Sequence, residues 1–231
     1  MEIEGVFPPV TTPFDENGCI VHDHLTENIK RWNETDVSGY LILGSSSETV
    51  FLNDEEKLEI IKTSRRSIPS SKRMLVGTGL ECTKGTIELT RRAADCGADV
   101  AVIITPHFFK SNMFHEAFMK HYLMVAENSP IPVLLYNVPS FTGLNMEAGT
   151  ASALSSHENI IGIKDSSGNV EQLSGIISLT GENEFSVLTG SSIVLYPSMC
   201  VGASGGVMAI ACVLPGRCSD IIRLYKEGNH S

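Results

Sequence analysis

The chain has 231 residues, 42% of them hydrophobic, and a formal net charge of -10. This length and apolar content suit one globular domain over residues 1–231 and argue against disorder. The acidity, with no basic stretch to neutralise phosphates, excludes a nucleic-acid binder. No apolar run approaches the roughly 18–20 residues needed to span a bilayer, so no membrane partner is expected.

In chain order, apolar strand-like runs at 6–12, 37–43, 73–78, 100–105, 132–137, 160–164, 185–189 and 206–210 alternate with helical patterns. The helical patterns fall at 22–34, 54–67, 83–96, 114–127, 146–155, 170–179, 193–200 and 215–227. The strands are continuous, β-branched runs, as expected of parallel strands covered on both faces. Asn53-Asp54-Glu55-Glu56 places a cap and acids at a helix start, and Gly97 follows Cys96 where a helix should end. Eight strand–helix units at roughly 28-residue spacing predict an α/β fold, the (β/α)8 TIM barrel. A doubly wound sheet is the alternative. It usually has fewer strands and a glycine fingerprint after the first one, where this chain has Pro13-Phe14-Asp15-Glu16-Asn17-Gly18.

A barrel carries its site at the C-terminal ends of its strands. Those ends read as hydroxyls, one phenol and one amine, with no carboxylate or histidine cluster, so no metal and no cofactor is expected. His107 is the one histidine at a strand end, and His22-Asp23-His24 reads as solvated surface. Lys164 ends the run Ile160-Ile161-Gly162-Ile163-Lys164, and Tyr136 ends Val133-Leu134-Leu135-Tyr136. A half-buried amine loses hydration of its charge, and the free base that results is what Schiff-base chemistry needs. The alternative is a strand-end lysine snorkelling to solvent. Gly44-Ser45-Ser46-Ser47-Glu48 offers hydroxyls and backbone N–H groups suited to a carboxylate, or is an ordinary serine-rich turn.

Several segments together resemble the dihydrodipicolinate synthase / N-acetylneuraminate lyase family of pyruvate-handling class I aldolases. They are Pro9-Val10-Thr11-Thr12-Pro13-Phe14, Gly44 to Glu48, Gly77-Thr78-Gly79, Tyr136-Asn137-Val138-Pro139-Ser140-Phe141-Thr142-Gly143 and Gly162-Ile163-Lys164-Asp165-Ser166. The likeness is nearest to the 4-hydroxy-2-oxoglutarate aldolase branch. The resemblance implies that Lys164 forms an imine with a small 2-oxo acid and that Tyr136 relays protons. It further implies that Ser45 and Ser46 hold the pyruvyl carboxylate and that Ser166 contacts the distal end of the substrate. The expected reaction is cleavage of 4-hydroxy-2-oxoglutarate to pyruvate and glyoxylate. The alternatives are synthase-type condensation of pyruvate with an aldehyde, and a non-catalytic truncated paralogue or isoform. A homo-oligomer, dimer or tetramer, is also implied.

Four departures from that pattern carry expectations. Phe141 stands where the synthase branch has a carboxylate-clamping arginine, which disfavours the lysine-pathway synthase reaction. His107-Phe108-Phe109 replaces a pair of tyrosines, removing a relay hydroxyl, and Ser47 replaces a glycine, which calls its backbone angles into question. Most of the family's C-terminal helical extension has no counterpart, so exposed apolar surface is expected on the outer helices. Six cysteines (Cys19, Cys82, Cys96, Cys200, Cys212, Cys218) without a C-x-x-C pair read as reduced thiols. With acids rather than arginines at the N-terminus, a cytoplasmic location is expected, the mitochondrion being the alternative that the resemblance raises.

Overall fold

The computed structural model describes residues 1–230. Eight strands form one parallel sheet: β1 (Gly5–Val6), β2 (Gly39–Ile42), β3 (Arg73–Gly77), β4 (Val100–Ile104), β5 (Val133–Asn137), β6 (Ile160–Asp165), β7 (Ser186–Thr189) and β8 (Gly205–Gly206). From β2 to β8 each strand pairs with its sequence neighbour, and β1 pairs with β8. Bonds between β2 and the segment after β1 complete the ring: Val10 N–H donates to Leu41 C=O at 2.9 Å and Leu41 N–H to Pro8 C=O at 3.0 Å. The result is the (β/α)8 TIM barrel.

Around it lie α1 (His22–Asn33), α2 (Asp54–Ser67), α3 (Thr83–Asp95), α4 (His115–Asn128), α5 (Pro139–Thr142), α6 (Ala148–Leu154), α7 (Val170–Thr180), α8 (Leu195–Cys200) and α9 (Pro215–Lys226). A capping box fixes the start of α2: Asn53 Oδ1 accepts from Glu56 N–H at 3.0 Å, and Glu56 Oε2 accepts from Asn53 N–H at 2.8 Å. The core has two layers. Phe7, Leu41, Leu75, Val102, Leu134 and Leu188 fill the barrel interior, while the outward strand residues, such as Ile103, Leu135 and Ile163, pack under the helices.

Two expected strands are shorter than their apolar runs, and one helix is added. The first strand is two residues rather than seven, because Pro8 and Pro9 lack the N–H that a ladder needs. The last strand ends at Gly206, and residues 209–212 turn instead into a short 3-10 helix. Pro139 opens an additional one-turn helix, α5, directly after β5. Exposed apolar side chains stand on outer helices at Met124, Leu179 and Ile221, and before α9 at Val213 and Leu214.

Candidate active site

Strand parity decides which side chains reach the barrel interior. Val133 is aligned with Ile160, but Leu134 is aligned with Gly162, so β6 holds one extra residue at Ile161. An unbulged β6 would bring Lys164 beside Asn137, on the face turned toward the helices. The bulge shifts the register by one, so Lys164 aligns with Tyr136 and points inward. Glycine is required at the centre of this bulge: a Cβ on Gly162 would sit 2.2 Å from the backbone oxygen of Ser186 on β7.

The side chains of Lys164 and Tyr136 meet at the top of the barrel. Lys164, 5% exposed, has its Nζ 3.9 Å from the centroid of the Tyr136 ring. Burial drives the amine pKa below its usual 10.5, with a smaller upward pull from the Tyr136 hydroxyl, which hydrogen-bonds the charged form. The Tyr136 hydroxyl lies 3.2 Å from Ser45 Oγ, so serine, phenol and amine form a chain.

Ser45 and Ser46 open a 3-10 turn, Ser45–Ser47, and both line a cavity of about 370 Å³ that also receives Tyr136, Lys164 and Ser166. The first N–H groups of such a turn have no acceptor within it, so hydroxyls and amides together form a donor-rich wall. Ser47 is buried and takes no left-handed conformation: its hydroxyl donates to Val10 C=O, and its own carbonyl accepts from Thr12 Oγ1 at 2.8 Å. The left-handed position expected there falls on Glu48, with φ of 56°. Ser166 occupies the space over Gly190, where a Cβ would come within 1.8 Å of its hydroxyl oxygen. All five expected site residues thus share one cavity.

The residues that depart from the family pattern are placed differently. Phe141 stands at the rim of the cavity, 68% exposed. His107 turns away from Lys164, with Nδ1 3.0 Å from Glu81 Oε1. Glu81 Oε2 also accepts from the backbone N–H groups of His107 and Phe108, at 2.8 and 2.9 Å. Phe108 and Phe109 pack edge to face outside the cavity, on the exposed surface. His22 bonds Thr63 on α2.

Sequence reasoning missed the polar layer just behind the site. Asp165 accepts from Asn137 Nδ2 and Gln172 Nε2, each at 2.7 Å, and from Ser167 N–H at 3.0 Å. Asn137 also donates to Asn145 Oδ1 at 2.9 Å and accepts from Met146 N–H at 3.0 Å. The available signal was a buried amide and a buried acid, each one residue beyond the phenol and the amine.

The Dihydrodipicolinate synthetase family profile matches residues 2–231. A 4-hydroxy-tetrahydrodipicolinate synthase from Methanothrix thermoacetophila is 36% identical over 227 residues, which is 97% of this chain and 75% of that protein. One of the same name from Haloarcula marismortui is 34% identical, covering 99% of this chain and 74% of its own length. Among solved structures, a prophage protein of the dihydrodipicolinic acid synthase family from E. coli, in complex with pyruvate, superposes with a TM-score of 0.93. It shares 29% identity, and the match covers 98% of this chain and 76% of that one. These relatives carry the synthase name and not the 4-hydroxy-2-oxoglutarate aldolase name toward which the motifs leaned. On the strength of fold, site and relatives, this chain belongs to the dihydrodipicolinate synthetase family.

Proposed function

We propose that the protein is a class I aldolase that joins pyruvate to an aldehyde, or separates the two, through an imine on Lys164. One observation carries this reading: a buried amine stacked on a phenol that is itself tied to Ser45. The free amine attacks the keto carbon of pyruvate while Ser45 and Ser46 hold the carboxylate. Tyr136 gives a proton to the departing hydroxyl, water leaves, and the imine remains. Loss of a methyl proton then yields an enamine, whose electron pair forms the carbon–carbon bond to the aldehyde. The new alkoxide takes a proton, and hydrolysis frees the amine. Run backwards, the iminium accepts the electron pair of the breaking bond. Positioning and proton transfer of this kind supply several orders of magnitude in rate.

Two overall reactions use this intermediate. The motifs favour cleavage of 4-hydroxy-2-oxoglutarate to pyruvate and glyoxylate, whereas the names of the relatives support condensation of pyruvate with an aldehyde. Phe141 argues against aspartate semialdehyde as that aldehyde, because a phenyl ring makes no charge-assisted bond to a carboxylate.

Borohydride reduction in the presence of pyruvate tests the common step. A stable adduct on the peptide containing Lys164, absent from Lys164→Arg, is expected. Folded wild-type protein that acquires no adduct there would end the imine reading.

A further inference from the structure

Lys164 is the only charged residue, among those described, that lines the active-site cavity. In the imine reading, on which this inference rests, its nitrogen is bonded to the keto carbon and Ser45 and Ser46 face the neighbouring carboxylate. The rest of the wall, where the far half of a longer substrate lies, is neutral. It presents the hydroxyls of Ser140, Ser166 and Ser191 and the apolar side chains of Phe141, Ile193 and Ile210. Phe141 and Ile193 are the most exposed of these, so the apolar groups stand at the rim and Ser166 stands deeper, beside Gly190.

We propose that the aldehyde half of the substrate is uncharged and hydroxylated: a 2-oxo acid that ends in a hydroxymethyl group or a longer polyol, not in a second carboxylate. A serine hydroxyl both donates and accepts, so it pairs with a substrate hydroxyl in either sense. A carboxylate in the same place exchanges its water shell for neutral donors, with no cation to offset the loss. The net charge of -10 adds long-range repulsion of a second negative group. Cleavage of the neutral substrate breaks the bond between its third and fourth carbons. The electron pair enters the enamine, the hydroxyl on the fourth carbon loses its proton, and a hydroxyaldehyde departs. Protonation and hydrolysis of the enamine then return pyruvate and the free amine.

The matched pair 4,5-dihydroxy-2-oxopentanoate and 4-hydroxy-2-oxoglutarate differs only in a terminal hydroxymethyl against a terminal carboxylate. Pyruvate release from each is measured, and an equimolar mixture is reduced with borohydride so that adduct masses report the preference even where turnover is slow. The neutral compound should be favoured by about tenfold or more in kcat/KM and in adduct ratio, equivalent to about 1.4 kcal/mol. Phe141→Arg should narrow or reverse that ratio by improving use of the dicarboxylate. A wild-type preference for the dicarboxylate, or no preference, overturns the inference. Pyruvate alone is trapped in parallel: an adduct together with that adverse preference refutes this inference only, while no adduct removes the imine reading and this inference with it.

Discussion

Asn137 Nδ2 lies 2.7 Å from Asp165 Oδ2, one residue beyond the aligned pair Tyr136 and Lys164 on the same two strands. The inner pair lines the cavity in which the proposed reaction would take place, while the outer pair is a buried hydrogen bond fastened to α7 through Gln172. Because neighbouring residues on a strand share one backbone, fixing the outer pair fixes how closely amine and phenol approach.

Asp165→Ala removes the acceptor of four donors and leaves the buried Asn137 amide with Asn145 as its remaining side-chain acceptor. Each buried donor left unpaired costs about 1–3 kcal/mol, so a lower Tm is expected. Pyruvate trapping on Lys164 should slow at temperatures where the variant is still folded, and Asp165→Glu should recover part of the rate. Normal trapping in a folded Asp165→Ala protein would show that the outer pair does not position the inner one.

Two glycines should respond oppositely to alanine. At Gly162 the new methyl meets the Ser186 carbonyl oxygen at 2.2 Å, a backbone atom that yields only if the strands separate. A loss of roughly 1–3 kcal/mol and impaired trapping are expected, since the bulge that aims Lys164 inward is disturbed. At Gly149, in α6, a Cβ meets nothing within 4 Å. There alanine should stabilise by about 0.5–1 kcal/mol through helix propensity. Denaturant midpoints of the two variants check both signs.

The bulge also marks where sequence reading stops. The barrel was legible because parallel strands covered on both faces read as unbroken apolar runs, and α2 matched residue for residue because Asn53 and Glu56 announce its start. Lys164 and Tyr136 were visible as polar groups at the ends of such runs. Their shared face was not derivable, because simple alternation without Ile161 as an extra residue turns Lys164 outward. Asn137 and Asp165 escaped for the same reason: a partnership across strands depends on register, which appears only once the strands are paired. The short first strand was a missed local signal, since Pro8-Pro9 stands in the sequence.

In the proposed reaction the Lys164 amine should set the pH response of imine formation. Burial lowers its pKa from 10.5, and only the free amine attacks a carbonyl. The trapping rate with pyruvate should therefore climb with pH and level off with a midpoint below 10.5. Tyr136 pulls the pKa upward, so Tyr136→Phe should move the midpoint to lower pH. The plateau of that variant should fall by roughly 10²–10⁴, the usual contribution of a positioned proton donor. A midpoint that rises or stays in place would mean that the phenol does not interact with the charged amine.

His121 should govern acid stability from outside the active site. Burial holds its imidazole down at about 4, against a smaller upward pull from Glu81. Its Nδ1 bonds Thr83 Oγ1 at 2.9 Å, and its buried Nε2 has no partner. The unfolded chain takes up this proton near pH 6.5, whereas the folded protein takes it up only near 4. Between those values the unfolded state binds more protons, so stability falls as pH drops through the window and levels off below it. The full difference is about 3 kcal/mol. His121→Phe discards the titrating group, losing the Thr83 bond at every pH but removing this part of the acid slope. Urea unfolding at several pH values from 7 to 4 should give a shallower decline for the variant. Parallel declines would place the acid sensitivity in other groups.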